Sequence, residues 1–355
     1  MFFIAICHFA THGGFSFDAQ TLSIPRFWWF FIEMGGNFGV DVFVIISGYF
    51  LVKSQNELFN IKRILKFWGQ VFFYSVLIYS IFAVAGVSDF SFKSLLKTVF
   101  PIIFGQWWFA STYFVLYLIH PFLNILLNKI EKKTYQSLLT LLIIIWCIIP
   151  TFSLTSFQSN SLLWFITLYC VAGYIRLFDF NPIFTIKHYV WFWLFFSALR
   201  YLSSVTLIVL GTKIPFAASY PLAFYGTQSV LTFLSSLSFF MIFKNIKMGY
   251  CKWINIIASA SFGVYLIHDN GIVRPFLWNT VFKNSTYQNT VLLIPYSICV
   301  VCIVYIVCTI IDLLRQGTVE RVFLYVVNGK KEIILKPCEA VVSFCKKAVF
   351  GNQEE

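Results

Sequence analysis

Charged side chains are scarce in this 355-residue chain: Asp, Glu, Lys and Arg together make up 11% of it, against about a quarter in a soluble domain. With 59% of its residues hydrophobic and a mean hydropathy of +0.80, the chain lacks the polar surface to cover a globule in water. A soluble globular protein is excluded. Acidic residues are the scarcest, 14 against 26 Lys and Arg. The resulting +12 charge does not point to nucleic acid, because the basic residues fall in short clusters between apolar runs, as they do when positive loops stay in the cytoplasm.

Metal signatures and appended domains are missing too. The nine cysteines are scattered, mostly within apolar runs. The C-x-x-C of Cys299 and Cys302 has no ligand-rich surroundings, so these thiols read as packing residues, not as a disulfide framework or a metal site. There is no HExxH pattern, repeat, low-complexity linker or cleavable signal sequence, and no soluble catalytic domain is expected.

What the chain does have is apolar runs of spanning length, near 31–51, 67–87, 105–127, 137–153, 161–178, 190–211, 222–243, 254–272 and 290–314. The opening run MFFIAICHFA is too short to span, and the expectation is that the start lies upstream and this helix is truncated. The fold expected is an all-α integral membrane protein. Residues 1–315 form a polytopic bundle of about ten transmembrane helices, and 316–355 form a basic amphipathic tail on the membrane surface. Lys and Arg number 19 on one side of the alternating runs and 6 on the other, with Arg200 inside a span. This asymmetry places the tail and C-terminus in the cytoplasm.

An ionisable group near the bilayer centre costs at least about 2.5 kcal/mol, so each one needs a partner or a polar cavity. His8, Asp41, His120, Arg200, His268 and Asp312 are in that position. Asp312 is expected to pair locally with Arg315 at i+3, and His120, ahead of Pro121, to mark a helix irregularity. His8 and His12 share a helix face and could ligate a metal, but no third ligand is apparent and no metal is expected. His8 could equally serve as an acid–base group or cap the helix end. Asp41, in GGNFGVDVFVIISGYF, reads either as a buried hydrogen-bond anchor for a neighbouring helix or as the carboxylate that orients a histidine. At 1.5 Å per residue from position 31, Asp41 lies roughly 15 Å down its span, deeper than His8, so direct pairing requires the GGNFG segment not to be regular helix.

In NIKRILKFW, Asn60 can cap a helix that carries Arg63 and Lys66 on one face. The pair can grip a ligand phosphate or simply anchor the helix on the positive side. Trp107 and Trp108 are either an aromatic belt or the floor of a saccharide site. His268, beside Asp269, is either exposed at the interface or a substrate contact.

In order, these features resemble the membrane-bound acyltransferase type 3 family, which O-acylates bacterial cell-surface glycans. The resemblance rests on His8 in the first helix, GVDVFVIISGY (39–49), the basic pair, WWFASTYFVLYLIHPFLN (107–124) and SFGVYLIH (261–268). It implies an enzyme in the bacterial cytoplasmic (inner) membrane that moves an acyl group, most often acetyl, from acetyl-CoA to a saccharide hydroxyl. It implies His8 as the essential histidine, with Asp41 supporting it. Arg63 and Lys66 correspond to the family's R-x-x-R pair, associated with the acyl-CoA donor. Two departures stand out. The second arginine is Lys66, which loses bidentate geometry. The basic residue that precedes the family's histidine has no counterpart, since Met1 stands only seven positions before His8. The alternative reading is a polysaccharide or lipid-linked-sugar flippase.

Overall fold

The computed structural model describes residues 1–18, 20–54, 60–87, 91–180 and 184–329, together with Lys336, Pro337, Ala340 and Ser343. The paired lysines expected to hold the tail to a membrane, Lys330–Lys331 and Lys346–Lys347, lie outside the described residues.

Among the described residues every regular element is helical. The order begins α1 (Phe2–His12), α2 (Ile24–Glu33), α3 (Gly35–Leu51), α4 (Ile61–Val84), α5 (Phe92–Val99) and α6 (Trp108–Lys129). Next, α7 (Lys132–Ile143) runs through a π turn into α8 (Ile149–Ser153), followed by α9 (Ser161–Leu177), α10 (Ile186–Gly211), α11 (Pro215–Ser219) and α12 (Val230–Asn245). α13 (Lys252–His268) breaks sharply into the short α14 (Val273–Pro275). Finally α15 (Leu293–Arg315) continues through a π turn at Gln316–Glu320 into α16 (Arg321–Gly329). The boundary expected at 315–316 therefore falls inside one unbroken helical run.

Six described helices are long and apolar enough to cross a membrane, or seven if the pair bent by 89° after His268 counts as one span. Three further apolar helices, α1, α9 and α12, have 11, 17 and 16 residues, short of the ~20 that span a bilayer. The expected figure of about ten exceeds the six or seven full-length spans among the described residues, and these three shorter helices account for the difference only when the bent pair counts as a span. Helix starts follow the local chemistry. Ser23 Oγ accepts the N–H of Arg26 behind Pro25, and Asn60 Oδ1 accepts the N–H of Arg63 at 3.1 Å, filling donors that would otherwise be orphaned.

Seven helices form a closed ring in which each packs on the next: α1, α3, α9, α6, α4, α13, α15 and back to α1. α12 packs on α3 outside the ring, and α10 on α12. Two close approaches set the ring's geometry. A Cβ on Gly36 would lie 2.5 Å from Cys7 Sγ, and one on Gly263 would overlap the Asp312 carboxyl, so only glycine lets α1 meet α3 and α13 meet α15 at these points. Inside the ring a column of rings runs from Phe67 on α4 to Phe262 (4.9 Å), Tyr265 (6.2 Å) and His8 (6.4 Å between centroids).

Candidate active site

α1 carries His8 and His12 one turn apart, with ring centroids 5.4 Å from each other. α13 ends against them with His268 and then Asp269, where the helix breaks. His8 Nδ1 lies 3.0 Å from His268 Nε2 and 3.3 Å from Asp269 Oδ1. His268 Nδ1 lies 2.6 Å from the Val264 carbonyl one turn back on its own helix. Arg274, just past the break, donates from Nε to the Asp269 backbone carbonyl at 2.9 Å, and the same nitrogen stands 2.9 Å from Asp269 Oδ1. His12 Nε2 is 3.8 Å from that oxygen. His268 and Asp269 are buried, whereas His8 keeps 15% of its side chain accessible.

A buried carboxylate needs a cation or several donors to remain charged, and Arg274 supplies the cation. Asp269 can thus hold a negative charge beside His8 and stabilise an imidazolium there. His8 Nε2 has no protein hydrogen-bond partner among the described residues, so one ring nitrogen remains for chemistry. His8, His12 and Asp269 also place three ligand atoms within 4.8 Å of one another, so a third ligand to join the histidine pair does exist in space. The guanidinium already at Asp269 would, however, face any metal ion with like charge. The donor set suits proton transfer better than a cation.

The carboxylate facing His8 is Asp269, and the expected pairing of His8 with Asp41 is not found. GGNFG is regular α-helix. The face of α3 turned to α1 is marked by Gly36 against Cys7 and Gly39 against Ile4. Asp41, two residues beyond Gly39, is roughly 200° around the helix and faces away from α1. The same register puts it roughly 9 Å further along the axis than the level of His8. Asp41 is fully buried and accepts a 3.0 Å hydrogen bond from Trp164 Nε1 on α9, which is the anchor reading of this residue.

The other expected residues divide. His268 does not reach out to a ligand, because it is fully buried and both ring nitrogens are engaged within the protein. Trp107 is 1% exposed and presents no open face to a saccharide, while its neighbour Trp108 is 42% exposed. Arg63 is exposed at the start of α4. Lys66 forms a 2.5 Å ion pair with Glu320. His120 Nδ1 is engaged by the Tyr117 carbonyl within α6. Arg200 donates to the Met34 carbonyl at 2.7 Å and lies over the Tyr225 ring.

Lys66 belongs to a network that sequence reasoning saw only in part. Asp312 pairs with Arg315 at 2.7 Å, as the i+3 spacing suggests. It also accepts from Tyr74 Oη at 2.7 Å, Gln70 Nε2 at 3.2 Å and Gln316 Nε2 at 2.7 Å. Arg315 reaches on to Glu320 at 2.9 Å. Asp269 and Arg274 complete the cluster around His8 and were not among the expected site residues. The available signal was the His–Asp pair followed five residues later by Arg in a predicted break between spans.

A family model described as an acyltransferase domain, type 3, matches residues 1–313. No curated protein and no solved structure matches the chain.

Proposed function

The chain belongs to the acyltransferase type 3 family, and we propose that it moves an acetyl group from cytoplasmic acetyl-CoA to a hydroxyl of a cell-surface polysaccharide sugar or its lipid-linked precursor. In this reading the protein sits in the bacterial cytoplasmic membrane with its C-terminus inside. The observation that supports it is His8, held between buried His268 and Asp269 with one ring nitrogen left over and joined by an aromatic column to Phe67 beside Lys66.

His8 takes the proton of the acceptor hydroxyl as its oxygen attacks the thioester carbonyl carbon. The C–S bond breaks, and the imidazolium returns its proton to the departing thiolate, leaving an ester and free coenzyme A. Asp269 stabilises the imidazolium, and Arg274, 2.9 Å from Asp269 Oδ1, favours the ionised carboxylate. Arg63 and Lys66 hold donor phosphates as point charges and hydrogen-bond donors. Trp108 offers a face to the sugar.

The test is mass spectrometry of surface polysaccharide from strains carrying the wild type, His8→Ala or no gene. Loss of an ester mass from a normally exported glycan, with His8→Ala protein at its usual level, supports the enzyme. A fully esterified glycan in the His8→Ala strain overturns it, and loss of the whole glycan on deletion points to a carrier instead.

A further inference from the structure

We infer that His268 is a positioning residue that decides which nitrogen of His8 carries the proton, and therefore which edge of that imidazole is basic. The consequence for turnover rests on the acyl transfer proposed above, while the geometric premise is independent of it.

A backbone carbonyl has lone pairs and no proton to offer. Its 2.6 Å contact with His268 Nδ1 therefore requires that nitrogen to be the N–H of the ring. In a neutral imidazole the other nitrogen is then an acceptor, so His268 Nε2 presents a lone pair to His8 Nδ1, 3.0 Å away. His8 Nδ1 must supply the proton between them. Asp269 Oδ1, 3.3 Å from the same His8 nitrogen, is also an acceptor and favours the same arrangement. His8 is left with its lone pair on Nε2, the nitrogen without a protein partner. The opposite tautomer of His8 would set two lone pairs against each other across 3.0 Å and turn an N–H, instead of a base, outward.

The order of donors is anchored in the backbone. Val264 lies inside α13, so its carbonyl cannot rotate to reverse the chain of hydrogen bonds. His268 is fully buried and on the same helix, and its ring cannot exchange partners with water. The 3.0 Å contact to His268 has hydrogen-bond geometry, whereas Asp269 Oδ1 stands 3.3 Å off and takes part in no hydrogen bond among the described residues, so His268 is the acceptor that holds the Nδ1 proton. By accepting that N–H, His268 fixes the plane of the His8 ring as well as its proton.

Histidine-selective ¹⁵N labelling of the purified protein in lipid nanodiscs, with resonances assigned by single-histidine substitution, reads each ring nitrogen directly. The expected wild-type result is His8 protonated on Nδ1 and unprotonated on Nε2, with His268 in the same tautomer. His268→Leu should give His8 a mixture of tautomers and lower kcat for acyl transfer by roughly 10²-fold, with little change in acceptor KM. His268→Gln, whose amide oxygen can accept in place of Nε2, should restore kcat to within about tenfold of wild type.

Wild-type His8 carrying its proton on Nε2 overturns the inference. So does His268→Gln performing no better than His268→Leu when both are recovered at wild-type yield. If neither variant folds, the wild-type spectrum decides alone. The expected tautomer in a protein that transfers no acyl group would remove the proposed function and leave this inference standing.

Discussion

Two polar clusters sit in the same ring of helices and are built to opposite ends. Along α13 they are separated by roughly 8–14 Å of helix rise, one at Ser259 and Gly263, where Gln316 and Asp312 pack, the other at His268. The network of Asp312, Arg315, Glu320 and Lys66 has two negative and two positive groups, and both oxygens of Asp312 are taken up by donors. Such closure makes a joint between α4, α13 and the α15–α16 run. The His8 cluster is not closed: Arg274 sets its charge beside Asp269, whose Oδ1 is buried without a hydrogen bond among the described residues, His268 is engaged by the backbone and His8, and His8 keeps a nitrogen in hand. A saturated network serves structure, and a cluster with one member left over can act on something else.

The sharpest way to break this contrast is to compare two aspartates. Asp269→Asn should lower turnover by roughly 10²–10⁴-fold, while Asp41→Asn, which still accepts from Trp164, should stay within about threefold of wild type. Equal losses, measured as initial rates of ester formation, would collapse the distinction between anchor and catalytic partner. Asp312→Ala tests the closed network. It leaves Arg315 buried without its nearest carboxylate and should cost about 3–5 kcal/mol, visible as a lower unfolding temperature in detergent, while the protein that remains folded keeps its specific activity.

The tryptophan pair gives a parallel comparison. Trp107→Ala opens a cavity in the core and should cost about 3–5 kcal/mol, whereas Trp108→Ala should change thermal stability by no more than about 1 kcal/mol and act instead on acceptor KM. The smallest effect is expected at Glu320→Gln. Lys66 is half exposed, so its ion pair is worth at most about 1 kcal/mol. Releasing it for a donor phosphate should lower the acyl-CoA KM by up to about fivefold. A raised KM would show that Glu320 assists donor binding instead of competing with it.

Much of the helical layout was legible because its causes are local. All nine apolar runs overlap helices, Asn60 caps α4, and Asp312 meets Arg315 at i+3. These follow from hydropathy over about 20 residues or from neighbours within one turn. His8 stood out for the same reason, as a titratable group in an apolar helix. Asp41 stood out equally and misled, since its intramembrane position was visible but the direction it faces was not. Two residues of rotation past Gly39 carry it away from α1, and the glycines show that face only once their contacts with Cys7 and Ile4 are known. Glu320 could not be placed at all, because it reaches Lys66 only through the helix continuing past Arg315.

The sequence by itself determined that this is a helical membrane protein and where most of its helices lie, since burial in lipid is decided residue by residue along short windows. Which carboxylate faces His8, which nitrogen it leaves without a protein partner and which cations are already paired were decided by the tertiary structure. His8 and His268 are 260 positions apart, and no local rule brings them within 3 Å. Only the closing of the ring, with α1 set against α3 and α15 and α13 against α15, does so.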